Sequence, residues 1–154
     1  MMRWTQFVKA EPEMARLGLR LLFNKKDGEV GILATVNKSG HASASPVCPI
    51  FCDEGIYLLV GRGTPKKHHL CGNGSYALHA QVGSDDLEFQ IRGSAREVHG
   101  ENERAQVIAS IPFSSFDKSD PIFELLIKYA LTVSWPTPGV QDKRTFVDGS
   151  RGHA

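Results

Sequence analysis

Apolar and polar positions along the chain fall into short runs separated by glycine-, proline- and asparagine-marked breaks. Met14, Leu17, Leu21 and Leu22 recur at helical spacing after Pro12, with Arg16 and Arg20 turned elsewhere. This predicts an amphipathic helix over about 12–25, ended by Asp27 and Gly28. Residues 30–36 (VGILATV) are apolar at nearly every position and rich in β-branched side chains, the pattern of a strand covered on both faces. After a turn at 37–40, a second extended run spans 41–51. Its Pro46 and Pro49 cannot donate to a ladder, which marks an edge, a bulge or a ligand-facing wall. Residues 56–60 (IYLLV) form a third strand after a turn at 53–55. Tyr76, Leu78, Ala80 and Val82 share one face of a fourth. Beyond a turn at 83–86, Leu87, Phe89, Ile91, Gly93 and Ala95 share one face of a fifth. These two pair as a hairpin, with a glycine where a barrel bends.

The C-terminal third reads as a helix over 101–110, an irregular loop over 112–120, and a second helix over 121–130 with Phe123, Leu126 and Ile127 as its stripe. Short strands over 131–135 and 144–147 follow across a PTPG turn, and 150–154 reads as a frayed end. At the other end, 1–10 is a polar arm whose Trp4 and Phe7 pack on the body or on a neighbouring subunit. Closely spaced strands with hairpin turns, and helices outside the strand-rich middle, predict a mainly β (α+β) fold, an antiparallel barrel with peripheral helices. The expected organisation is a single domain over 1–154, with its barrel core at about 30–98 and helices and short strands at 101–147.

Composition narrows the function more than the fold. At 154 residues, 41% hydrophobic and 23% charged, the chain is an ordinary globular domain. Lys plus Arg is 18 against 17 Asp plus Glu, which supplies no broad footprint for nucleic acid or an acidic membrane. Cys48, Cys52 and Cys71 are odd in number and lack CxxC spacing. With no apolar leader and no apolar run near the ~20 residues that span a bilayer, the expected location is the cytoplasm.

One stretch carries candidate chemistry, residues 61–70 (GRGTPKKHHL). Thr64 is a good N-cap, its hydroxyl placed to accept from a first-turn amide, and Pro65 suits the first helical position. Lys66 and Lys67 then set positive charge against the positive end of the helix dipole, an arrangement that a bound anion would reverse. Free first-turn amides, the Thr64 hydroxyl, both lysines and Arg62 together make a phosphate cradle. The same residues also fit a solvated basic turn.

The middle of the chain, about 30–98, resembles the pyridoxamine 5′-phosphate oxidase-like FMN-binding split barrels. ILATVNKSGHASASPV is similar to the family's strand, glycine-tipped turn and Ser-Pro-Val strand. GIYLLVGRGTPKKHHLCGN is similar to its next strand, Ser/Thr-x-Lys turn and short helix, and IRGSAREV to its late Gly-x-Ala strand. The resemblance implies an antiparallel split β-barrel and a homodimer with flavin at the interface. It also implies a flavin-dependent oxidoreductase acting on a small-molecule substrate or electron donor. By position, Thr64 and Lys66 would bind phosphate. Arg62 and Lys67 join them by charge, and the backbone around Ser45, Pro46, Val47, Val60 and Gly61 would line the flavin. The family's strand arginine is replaced by the small-residue segment 41–44, a flavin-touching Gln by Glu88, and the C-terminal Arg-x-His pattern is missing. Pyridoxamine phosphate is therefore not the expected substrate. Deazaflavin or haem in place of FMN, or a non-catalytic flavin-binding or sensing module, are the alternatives.

No nucleophile, base and orienter set stands out, which suits chemistry run by a cofactor. His68 and His69 are adjacent on a helix and so point about 100° apart, which disfavours a metal site. The three cysteines receive no role. Trp135 fits the core or an interface as well as a flavin-facing position, and His153 is the tail histidine a haem site would use.

Overall fold

The computed structural model describes residues 1–23, 31–82 and 85–149. Two helices lead the chain, α1 (Trp4–Ala10) and α2 (Pro12–Phe23). Four strands follow, β1 (Gly31–Val36), β2 (Ala42–Val47), β3 (Ile50–Cys52) and β4 (Gly55–Leu59). Helix α3 (Pro65–Gly72) precedes β5 (Ser75–Ala80) and β6 (Glu88–Glu97). Helix α4 (Glu101–Ala109), β7 (Ile122–Thr137) and β8 (Val140–Val147) complete the fold.

All eight strands join one antiparallel sheet in the order β2-β1-β5-β6-β7-β4-β3, with β8 also on β7. The sheet curls into a split barrel with the helices around it. Strand β7 makes the split possible. One of its edges runs the length of β6, while the other serves β4 near its start and β8 near its end.

The core lies on the inner face, where Leu33, Leu78, Phe89, Ile91, Leu125 and Ile127 are fully buried. Trp4 and Phe7 are buried with them, so the predicted arm is a helix that closes the barrel, pinned further by a backbone bridge between Met2 and Ile127. Helix α2 matches the predicted amphipathic segment. Its expected end at Asp27 and Gly28 lies outside the described residues, as do the tail at 150–154 and His153. The strands at 31–36 and 55–59 and the β5–β6 hairpin also stand as predicted, except that Val82 lies beyond β5 and is exposed, while the single extended run expected over 41–51 divides into β2 at one end of the sheet order and β3 at the other. No described helix is long and apolar enough to cross a membrane.

The predicted helix over 121–130 is instead the first half of the 16-residue strand β7, and 131–135 continues it. A register shift explains the misreading. Arg92 pairs with Tyr129 but Gly93 pairs with Ile127, so Lys128 is an extra residue on β7 and the inward phase slips by one. Phe123, Leu125 and Ile127 face inward before the bulge, and Ala130 and Thr132 after it. Buried Phe123, Ile127 and Ala130 therefore fall at i, i+4 and i+7, the spacing of a helix face.

Candidate functional site

The turn after β4 is the one the sequence singled out, but its side chains divide the work differently. Val60 is buried and its N–H donates to the Pro121 carbonyl, which anchors the end of β4 to the start of β7. Thr64 occupies the N-cap position with extended backbone, and Pro65 begins α3 as predicted. The Thr64 hydroxyl does not accept from the first helical turn, however. It donates to the Gly61 carbonyl at 2.7 Å, beside the Thr64 N–H to the same oxygen at 3.1 Å. Thr64 thus closes the turn as a local clamp, because the carbonyl three residues back lies nearer than the amides ahead. Arg62 also turns away from the cradle. Its guanidinium donates to the Ser119 carbonyl at 2.7 Å and its N–H to the Asp120 carboxylate at 3.2 Å, tying the turn to the loop before β7.

Lys66 and Lys67 remain. Both are half-buried, and neither makes a hydrogen bond or ion pair among the described residues. The first-turn amides of α3 beside them likewise have no helical partner. Two unpaired ammonium groups at a dipole's positive end, over free N–H donors, fit a dianionic phosphate. The residues present therefore fit a phosphate-bearing cofactor through Lys66, Lys67 and backbone. Arg62 and Thr64 hold the shape of the cradle.

A contact the sequence did not reveal sets the position of α3. His69 Nδ1 lies 2.9 Å from the hydroxyl of fully buried Thr35 on β1 and 3.4 Å from that of Ser43 on β2. Lys66 and His69 are three apart and so share a helix face, which turns Lys66 toward the β1–β2 side. Ser45 and Val47 follow Ser43 at strand alternation and share its face of β2. Pro46 is on the other face, paired with Ile32. The side chains of 45–47 thus point to two faces of β2, and the lining expected of this segment is by its backbone.

A roomy cavity lies elsewhere, about 530 Å³ lined by Arg3, Asp53, Glu54, Tyr57, Arg96, Glu103 and Gln106. Glu124, fully buried on β7, ties two of its lining residues together. It accepts from Arg3 Nε at 2.6 Å and from Arg96, whose guanidinium also bonds Glu103. Arg3 donates on to Glu54 at 2.6 Å and to the Tyr57 oxygen at 2.8 Å, while Tyr57 donates to Glu103 at 3.2 Å. Burial, reinforced by Glu124, pushes the Tyr57 phenol up to about 12, so it stays a neutral donor. Glu103 is held below its usual 4.5, chiefly by the Arg96 hydrogen bond. A depressed carboxyl contributes stability that is present above its ordinary value and lost as pH falls through the folded one. The melting-temperature gap between wild type and Glu103→Gln is therefore expected to close as pH drops below 4.5, read by thermal denaturation at a series of pH values.

Cys52 and Cys71 are free thiols, and burial followed by Glu97 raises the Cys71 pKa, which lowers its thiolate fraction. Trp135 is exposed and donates from Nε1 to the Asp86 carbonyl at 3.2 Å. Glu88 is within 3.3 Å of His79 Nε2. Among the described residues no three His, Cys, Asp or Glu are grouped to hold a metal ion.

No protein-family model matches the sequence, and no curated protein matches it. Solved structures do. The chain is similar to a heme binding protein from Mycobacterium smegmatis, with a TM-score of 0.62 and 18% identity, covering 88% of this chain. It spans 59% of that protein's length. A pyridoxamine 5′-phosphate oxidase-related, FMN binding protein from Nostoc punctiforme is similar at TM-score 0.63 and 7% identity, covering 89% of this chain and 95% of the other. PhzG from Burkholderia lata 383, in complex with tetrahydrophenazine-1-carboxylic acid, is similar at TM-score 0.61 and 9% identity, covering 96% and 93%. At these identities the likeness is one of fold, and the chain has the split β-barrel fold found in pyridoxamine 5′-phosphate oxidase-related, FMN-binding proteins.

Proposed function

We propose that this protein binds FMN with the phosphate at the start of α3, and that it serves as a flavin-dependent oxidoreductase on a small molecule. The observation that carries the reading is the pair of unpaired lysines, Lys66 and Lys67, over the free amides of α3, at the turn where the sequence resembles the FMN split barrels. The flavin ring, when bound, would supply the hydride or electron chemistry. The protein's own residues bind and orient. Lys66 and Lys67 neutralise the phosphate, Thr64 and Arg62 hold the turn, and His69 fixes α3 against β1 and β2.

A homodimer belongs to the same proposal, and the sheet's outer face supports it. Strand register aligns Pro46, Ile32, His79, Gln90, Leu131 and Thr145 in one row across six strands. Ala44, Ala34, Ala77, Arg92, Tyr129 and Val147 form the next. The sequence of β1 predicts cover on both faces. In the single chain Gly31, Leu33 and Thr35 are buried, but Ile32, Ala34 and Val36 are only half covered. A second copy laid on these rows would finish the burial. Ala34→Glu, which puts a charge at their centre, is expected to give monomers in sedimentation. An unchanged dimer would move the interface to another face.

Lys66→Ala tests the phosphate assignment. A charge-assisted hydrogen bond is worth about 1.5–3 kcal/mol, so FMN affinity should fall about ten- to a hundredfold with riboflavin affinity unchanged. Alanine suits a first helical turn, so the apoprotein should melt like wild type. Undiminished FMN binding would reduce Lys66 to a solvated charge. Because the fold is also that of a heme binding protein, haem titrated into the same variants supplies the competing outcome.

A further inference from the structure

A second cavity, about 340 Å³, opens between the β1–β2 turn and the C-terminal half of α3. It is lined by Asn37, Lys38, Ser39, His68, His69, Gly72 and Asn73. Its side chains are one-sided in chemistry. No carboxylate lines it, and both asparagines have already committed their acceptor oxygens. Asn37 Oδ1 receives the N–H groups of Ser39 and His41, each at 2.9 Å, and Asn73 Oδ1 receives that of Ser75 at 3.1 Å. What each asparagine has left is its NH₂, a donor. The His69 ring is held through Nδ1 by Thr35, and with the Thr35 hydroxyl as donor the ring proton sits on Nε2, left for another partner. Lys38 makes no ion pair among the described residues, and its aliphatic stem crosses Gly72. A Cβ added at Gly72 would lie 3.3 Å from Lys38 Cε, so the missing side chain makes room for the lysine there.

We propose that this cavity is a binding site for a small molecule carrying a carboxylate or phosphate, with Lys38 as its charge and the asparagine amides and His69 Nε2 as donors. Its volume suits a metabolite-sized ligand or the anionic part of a larger one. The site lies toward the other end of α3 from the phosphate cradle, with His69 between them. Asn73 is seven residues beyond Lys66, about 10 Å along a helix rising ~1.5 Å per residue. It also lies at the opposite end of the dipole, so Lys38 rather than the helix must supply the positive charge.

The test titrates inorganic phosphate and, separately, malonate into the full chain, with sodium chloride at matched ionic strength as reference, following backbone amide shifts by NMR. Saturable shifts centred on residues 37–39 and 72–73 are expected. They should weaken about tenfold or more in Lys38→Gln, recover in Lys38→Arg, and be unchanged in Lys66→Ala. The stronger of the two anions identifies the ligand's head group. Chloride producing the same shifts, or Lys38→Gln binding as tightly as wild type, would overturn the site and leave Lys38 only as a partner of the helix end. Because the Lys66 variant is scored in the same titration, failure of the flavin reading and failure of this site give different patterns.

Discussion

Gly93→Ala is expected to destabilise the protein by about 3 kcal/mol or more, lowering its melting temperature by about 6–12 °C. A Cβ at Gly93 would lie 1.9 Å from the Leu126 carbonyl oxygen and 2.9 Å from its carbon, both backbone atoms that cannot rotate aside. The clash falls where Lys128 bulges out of β7 opposite the Arg92/Gly93 step. Relieving it would mean expelling the bulge, and expelling the bulge would shift the rest of β7 by one residue. Ala130 and Thr132 would then trade their inward positions for outward ones. Gly63→Ala is the matched control. Nothing lies within 4 Å of a Cβ there, so its melting temperature should be close to that of wild type. Equal, small effects at the two positions would mean that β7 and β6 pair without this bulge.

Glu124→Ala is the second large effect, expected to cost about 3 kcal/mol, measured by urea unfolding. The carboxylate is 1% exposed and accepts from both Arg3 and Arg96. Breaking such a pair typically costs about 3–5 kcal/mol, because a charge is left stranded. Here both guanidinium groups are partly exposed, at 33% and 43%, and can turn to water. That places the expected cost at the lower end of the range. The loss should be felt at the N-terminus as well, since Arg3 fastens the segment leading into α1 to Glu54, Tyr57 and Glu124 together. Faster proteolysis within α1 is the accompanying sign. An unaffected midpoint would mean that Trp4 and Phe7 hold the helix without help from the ion network.

What the sequence made legible follows from which forces are local. The β5–β6 hairpin and the β1 and β4 strands stood out because their apolar patterns are uninterrupted and their turns carry glycine or asparagine. The start of α3 stood out because Thr64 and Pro65 are strong local signals. Strand β7 did not, since one extra residue at Lys128 turned a period of two into an imitation of a helix. Glu124, a lone charge within the apolar IFELLI, was the available hint that something distant was answering it. Its partners lie 121 and 28 residues away, where no local pattern reaches. Arg62 and Thr64 show the same limit within the site. Residue type and spacing placed them at the turn before α3 as phosphate ligands. Competition from the Ser119 and Gly61 carbonyls decided where their donors went. His69 was weighed only as a metal ligand, and its role in seating α3 on Thr35 depends on a strand more than thirty residues earlier.

On the function we propose, the start of α3 binds the phosphate of FMN. Parallel titrations of the wild-type apoprotein with FMN and riboflavin, followed by flavin fluorescence, test it most directly. FMN is expected to bind at least about tenfold tighter than riboflavin, the contribution of one or more charge-assisted bonds to the phosphate. Equal affinities, or haem binding where neither flavin does, would contradict it.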